Sequence, residues 1–307
     1  MEIIQAIILG LVQGLTEFMP ISSSAHLIIV PWLFGWQDFG IGFDVALHWG
    51  TLVAVLAYFW RDIIRYVRAL FTGLPSFGPS ASLGLTAGSS PATANPAQQA
   101  EQESDRRIAW LLLIATVPGA IAGLLLESKI DDSFHTPANL NAWGIYAIAG
   151  AMIVMGLVLL LAERLYSGKG KPLTGITLVD AVIIGLAQAV AVLPGVSRSG
   201  ATITAGLFRK INRADAARFS FLLSSPIIVA AGLKKLYDLI KDPAHANPAN
   251  IPTLAFILGF LAAAIGGYLT IRFLIGYLQR RSTAVFVVYR LVLGVALIIL
   301  AMLNFRR

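Results

Sequence analysis

Apolar residues run along this chain in long unbroken stretches, not in the alternating or one-faced patterns of water-soluble elements. Six of them, near 43–60, 108–126, 143–162, 217–237, 253–275 and 284–304, are long enough to cross a bilayer core as helices. About 20 residues at ~1.5 Å each cover the ~30 Å of hydrocarbon. Two further apolar segments, 2–34 and 178–208, are broken midway by a proline and a serine cluster. The breaks read Met19-Pro20-Ile21-Ser22-Ser23-Ser24 and Leu193-Pro194-Gly195-Val196-Ser197-Arg198-Ser199. Each half is too short to span, so the pattern predicts two re-entrant helical hairpins whose tips lie within the membrane. Irregular backbone at that depth survives only where protein or a water-filled cavity satisfies it.

The two hairpins read as copies. Slid onto each other without a gap, Ala6, Ile8, Gly10, Leu11, Gln13, Ser22 and Ser24 fall on Ala181, Ile183, Gly185, Leu186, Gln188, Ser197 and Ser199. Each hairpin is followed by three spans, an odd number, so the halves must be inverted relative to each other. The expected fold is an all-α integral membrane protein of two inverted-topology repeats, each a re-entrant hairpin plus three transmembrane helices. The first repeat covers 1–165 and the second 176–307 within one membrane domain. Such repeats place sites near the midplane where they meet. Residues 73–105, rich in Gly, Pro, Ser and Ala, are expected to be a disordered cytoplasmic insertion.

Composition sharpens this picture. Of 307 residues 57% are hydrophobic and only 13% charged, about half the charged share of a soluble domain, which excludes a cytosolic enzyme or a disordered chain. The net charge of +7 falls mainly in loops, so it marks topology and no nucleic-acid partner is expected. Arg61, Arg65, Arg68, Arg106, Arg107, Arg164, Lys169, Lys171 and Arg209 gather on one side, while the other holds few basic residues, Lys234 and Lys235 among them. The first side is therefore expected to be cytoplasmic. The first hairpin then opens outward and the second enters from the cytoplasm, with both tips converging on one cavity. The absence of cysteine excludes disulfides, thiolate chemistry and a cysteine-based zinc site.

Ionisable residues inside membrane segments are costly and mark function by default. Here they are Glu17, His26, Arg198 and Arg290, with Gln13 and Gln188 as polar companions. Gln13 and Glu17 share one helix face at i and i+4 and could hold a metal ion or a proton. Ser22, Ser23 and Ser24 are placed to cap the second half-helix, and helix starts bind anions. Ser197-Arg198-Ser199-Gly200 repeats that arrangement and adds a guanidinium, which grips phosphate bidentately. His26 suits proton transfer near neutral pH. Arg290 is expected to be an interior ion-pair partner, and His48 has a weaker claim on the site. Together these groups describe a phosphate site; a transporter or lipid flippase would share the hairpins and the anion-friendly midplane.

The run from Gln13 to His26 and the run from Pro194 to Thr202 resemble the two signatures of the BacA-type undecaprenyl-diphosphate phosphatases. The resemblance covers the chain apart from 73–105. It implies a multi-pass enzyme of the bacterial inner membrane, with its active site facing the periplasm. Such an enzyme removes the terminal phosphate of undecaprenyl diphosphate and so regenerates a carrier for cell-wall synthesis. Bacitracin resistance would follow from competition for that substrate, not from binding to the protein. By the same resemblance Glu17, Ser23, His26 and Arg198 are the expected catalytic residues. Ser22, Ser24, Ser197, Ser199 and Gly200 are expected at the substrate, and Glu17 with Gln13 at a divalent cation, Mg2+ or Ca2+. The expected mechanism makes Ser23 the nucleophile with His26 as its proton partner, leaving direct attack by His26 or by water open. Membrane lipids surround the protein and a homodimer is compatible with this reading.

Overall fold

The computed structural model describes residues 1–75, 95–134, 142–241, 251–303 and 305. These fold into helices α1 (Glu2–Phe18), α2 (Ser23–Phe34), α3 (Ile41–Tyr58), α4 (Trp60–Leu70), α5 (Pro96–Phe134), α6 (Ala142–Leu165), α7 (Leu178–Val190), α8 (Arg198–Phe208), α9 (Arg213–Lys241), α10 (Thr253–Arg280) and α11 (Ala284–Met302). Among the described residues there is no strand beyond an isolated parallel bridge between Lys171 and Ile211. The six expected spans are α3, α5, α6, α9, α10 and α11, all long and apolar enough to cross a membrane. Their outward faces carry large exposed apolar side chains, such as Val154 and Leu157 on α6, Ile257 and Ile265 on α10, and Val288 and Val292 on α11. A surface of that kind is stable in lipid and not in water.

The broken segments form the expected helix pairs, α1 with α2 and α7 with α8. α1 packs against α10 and α7 against α5; α3 packs against α10 and α9 against α5. Two glycines explain how closely the first halves approach. A Cβ on Gly10 would lie 2.3 Å from the Gly259 carbonyl oxygen of α10, and one on Gly185 would lie 2.6 Å from the Ala115 carbonyl oxygen of α5. Without apolar burial to drive association in lipid, such small-residue contacts let helix backbones meet.

Two readings of the sequence, the first and the third below, are corrected, and one element is found that the sequence reading did not predict. Residues 96–105 belong to α5, so the irregular insertion ends earlier than 105; residues 76–94 lie outside the described residues. Pro96 takes the first helical position, where its missing N–H costs nothing, and an Ala/Gln/Glu run of high helix propensity follows. Asn95 caps the start through Oδ1, which accepts from the Ala97 amide at 3.1 Å, while Arg65 reaches Glu101 at 2.9 Å and Asp105 at 3.4 Å. Second, the region after the first span holds a separate amphipathic helix, α4, which turns Tyr66 and Ala69 inward and Trp60, Ile64 and Val67 outward. It is too short and too charged for a span, and its character is that of a helix lying in the interface. Third, Arg290 makes no ion pair among the described residues. Its guanidinium instead donates to the backbone oxygens of Met152, Pro20, Gly195 and Val196 at 2.7–3.2 Å. Buried backbone carbonyls of the two turns, with one from α6, supply the acceptors that a carboxylate was expected to supply.

Candidate active site

The chemistry collects where the two hairpin tips touch. Ser22 and Ser197 are the N-cap residues of α2 and α8, at φ 76° and 72°. Positive φ is unfavourable for a residue with a Cβ, costing on the order of 1–3 kcal/mol, and persists where surrounding bonds over-determine it. They do so here. Ser22 Oγ accepts from the amides of Ala25 at 3.4 Å and Gly195 at 3.2 Å, so the first tip is tied to the second. Ser199 Oγ donates to the Met19 carbonyl at 2.9 Å, tying the second to the first. Ser197 Oγ accepts from the Gly200 amide at 3.0 Å.

Glu17, near the end of α1, sits at the centre. Its Oε2 accepts from Ser23 Oγ at 2.6 Å and from Gln13 Nε2 at 3.1 Å, and its Oε1 accepts from Arg198 Nη2 at 3.1 Å. Arg198 is oriented from behind by donating Nη1 to the Ser220 carbonyl at 3.1 Å. His48 of α3 approaches Glu17 Oε2 to 3.9 Å through Nε2, while its Nδ1 lies 2.8 Å from the Asp44 carbonyl. The Glu17 side chain is 5% exposed, Arg198 14% and His48 37%, a gradient running outward into a cavity of about 370 Å³. Ser23, Ser24, Ser197 and Gln188 line the same cavity, whose remaining wall is largely apolar, with Leu27, Val45, Trp49 and Ile227, but also carries Asp44, Lys234 and Lys235. The shape is that of a small polar end opening onto an apolar sleeve.

Of the residues expected from sequence, Glu17, Ser23, Ser24, Ser197 and Arg198 come together at this cavity. His26 does not meet Ser23. Its Nδ1 lies 2.6 Å from the Ser22 carbonyl and its Nε2 2.6 Å from the Tyr289 hydroxyl, with the ring stacked on Tyr289. The expected His26–Ser23 pairing is therefore corrected: the partner of the Ser23 hydroxyl is Glu17. Ser22, the cap of α2, and Ser199 and Gly200, in the first turn of α8, are buried and not part of the cavity wall. The two serines instead hold the tips to each other, Ser22 through the Gly195 amide and Ser199 through the Met19 carbonyl. His48 was given only a weaker claim and Asp44 was not singled out; both line the cavity, and their i, i+4 spacing on one helix face was the available signal.

A helix leaves its first amides without intrahelical carbonyls. The serine caps serve the third amide of α2 and of α8, so the starts at Ser23-Ser24 and Arg198-Ser199 present amide donors beside a guanidinium. That combination stabilises an oxyanion. For a divalent cation the donor set is thin. Among the described residues no group of three or more His, Cys, Asp or Glu side chains could hold a metal, and both Glu17 oxygens already accept hydrogen bonds. Two buried amide oxygens without a partner fit a cation: Gln13 Oε1, beside Glu17, and Gln188 Oε1 of the cavity lining. The residues thus fit an ion shared with substrate oxygens, as is usual for magnesium on phosphates, and not an ion caged by protein alone.

Known proteins share this sequence over nearly its whole length. Residues 6–296 match the model of the family described as bacitracin resistance protein BacA. The undecaprenyl-diphosphatase of Thermomicrobium roseum is 45% identical over 307 residues, covering 100% of both chains. That of Desulforudis audaxviator is 43% identical over 300 residues, 98% of each chain, and that of Moorella thermoacetica 45% over 298 residues, 97% of each.

Proposed function

The chain belongs to the BacA bacitracin resistance family, and from that membership and the site's geometry we propose that it is an undecaprenyl-diphosphate phosphatase. It cleaves the terminal phosphoanhydride to give undecaprenyl phosphate and inorganic phosphate. The observation that carries this reading is the Ser23–Glu17–Arg198 constellation, a hydroxyl, a carboxylate and a guanidinium from two hairpins at the polar end of an apolar cavity. A lipid diphosphate has that same division into headgroup and tail.

Phosphoryl transfer is mainly positioning and electrostatic stabilisation. Arg198 and the amides at the two helix starts hold the terminal phosphate and take up charge on its oxygens. Ser23 Oγ attacks phosphorus, its proton passes to Glu17 Oε2, and undecaprenyl phosphate departs as the anhydride P–O bond breaks. Water then attacks the phosphorus of the phosphoserine and the P–Oγ bond breaks; Glu17 returns its proton to Ser23 Oγ, and the protons of the water leave with inorganic phosphate. Glu17 takes the part that the sequence suggested for His26. A divalent cation held by Glu17 and Gln13 would add charge neutralisation on the diphosphate.

Several observations support the duplicated, inverted arrangement. Ser22 and Ser197 share an uncommon backbone conformation, and Gly10 and Gly185 make like contacts on α10 and α5. The loop charges support an inner-membrane orientation with the Arg-rich side in the cytoplasm and the cavity open to the periplasm. The test is phosphate release from undecaprenyl diphosphate by purified protein, with and without chelator, for wild type, Glu17→Ala and Arg198→Ala. Release by wild type and its loss, by about 100-fold or more, in both variants is expected. Absence of release from folded wild type across several prenyl diphosphates and added cations would overturn the reading in favour of a transporter.

A further inference from the structure

Arg290 is among the largest fully buried side chains of the molecule, lies in the last span, and takes no part in the chemistry above. A buried guanidinium without a carboxylate is costly unless hydrogen bonds replace its hydration. Its acceptors come from three places: Met152 of α6, Pro20 of the first hairpin turn, and Gly195 with Val196 of the second. Pro20 and Gly195 are corresponding positions when the two hairpins are aligned. One planar fork therefore bridges equivalent carbonyls of two turns, with Nη1 on Pro20 at 2.9 Å and Nη2 on Gly195 at 2.7 Å. Its neighbour Tyr289 reaches the first hairpin again through the 2.6 Å contact of its hydroxyl with His26 Nε2. The fit is close, since a Cβ on Gly200 would come within 2.9 Å of Arg290 Nη1.

We infer that Tyr289 and Arg290 form a clamp that sets the two hairpin tips in register and thereby aligns Glu17 and Ser23 with Arg198. They are positioning residues. Glu17 lies three residues before Pro20 and Arg198 three after Gly195, so the carbonyls held by the guanidinium are short, stiff levers on the reacting groups. A misplacement of about 1 Å at a reacting centre costs roughly 100-fold in rate. The fork geometry is what matters, because an ammonium is a point charge and cannot hold carbonyls of two turns in a fixed plane. This inference rests on the phosphatase reading for its activity readout.

The experiment compares wild type, Arg290→Met, Arg290→Lys, Tyr289→Phe and Leu297→Ala in purified form, reading thermal unfolding together with kcat and KM for undecaprenyl diphosphate. Leu297 is fully buried on the same helix and serves as a packing-only control. The expected result is a fall in kcat of about 100-fold for the folded fraction of Arg290→Met, partial recovery in Arg290→Lys, and a several-fold fall in Tyr289→Phe. Leu297→Ala should lower the unfolding temperature while its folded fraction keeps wild-type kcat. A folded Arg290→Met or Arg290→Lys protein with wild-type kcat would overturn the clamp, as would a loss in Leu297→Ala equal to that of the arginine variants. Should neither arginine variant fold, Tyr289→Phe decides, with wild-type kcat counting against the inference. An inactive wild type would refute the phosphatase reading instead. The clamp is then read from inorganic pyrophosphate binding, which Arg290→Lys and Tyr289→Phe should weaken at least several-fold and Leu297→Ala should not. Unchanged pyrophosphate binding in the folded clamp variants would overturn it.

Discussion

The Glu17 carboxylate and the Arg198 guanidinium, 181 residues apart in sequence, meet at 3.1 Å. The donors that hold this carboxylate, Ser23 Oγ and Arg198 Nη2, are the same ones that the proposed mechanism assigns to the phosphate. Glu17 thus fills an anion position before any substrate arrives, and a diphosphate must take Arg198 from it. In Glu17→Gln the competitor is neutral, so inorganic pyrophosphate should bind several-fold more tightly in calorimetry while phosphate release falls about 100-fold. Weaker pyrophosphate binding in that variant would show that Glu17 helps hold the ligand instead of competing with it.

Among the described residues the Glu17 carboxylate and the unpartnered Gln13 oxygen lie together, with the unpartnered Gln188 oxygen and Asp44 elsewhere on the cavity wall and no cluster of three acidic or histidine ligands, and an arginine lies beside Glu17. The expected outcome of a titration with Mg2+ or Ca2+ is weak binding to ligand-free protein, with a dissociation constant in the millimolar range or above. Affinity should rise at least tenfold once pyrophosphate is present. Tight binding without pyrophosphate would point to a caged ion and to ligands other than these.

At the α7–α5 contact a new methyl group has nowhere to go. Gly185→Ala should destabilise the protein by about 1–3 kcal/mol, the usual cost of forcing atoms into a packed interface, with a matching fall in thermal unfolding temperature in detergent. Gly123 and Gly150 lie inside helices with open space where a Cβ would stand, so alanine there should leave the unfolding temperature unchanged or raise it slightly. Equal behaviour of the three variants would mean that the glycine contact does not set the helix approach.

Most of the architecture was legible in the sequence because it follows from local quantities. The length of an apolar run against bilayer thickness yields the spans, and a proline with serines in mid-run yields a broken helix whichever way the chain later packs. The α4 helix was missed because its charges hide it from a search for long apolar runs. The start of α5 was missed because an Ala/Gln/Glu segment resembles a linker until Asn95 caps it and Arg65 pairs with it. Within the site, Glu17 and Arg198 stood out because each is ionisable at membrane depth, and Ser23 because of the family signature it lies in. Their pairing was misjudged for His26, whose nearness to Ser23 in sequence suggested a contact. One turn of α2 instead carries the imidazole to Ser22 and to Tyr289, 263 residues away.

By itself, then, the sequence determined the solvent this protein lives in, its helices, the two interrupted hairpins and the polar residues carried on them, since each depends on neighbours along the chain. Only the tertiary structure decided which of those polar groups meet. Glu17 reaches Arg198 because glycine contacts bring α1 against α10 and α7 against α5, and because Arg290 fastens the two turns together through their backbone carbonyls. Distances between groups so far apart in the chain are a property of packing, and no local pattern of residues encodes them.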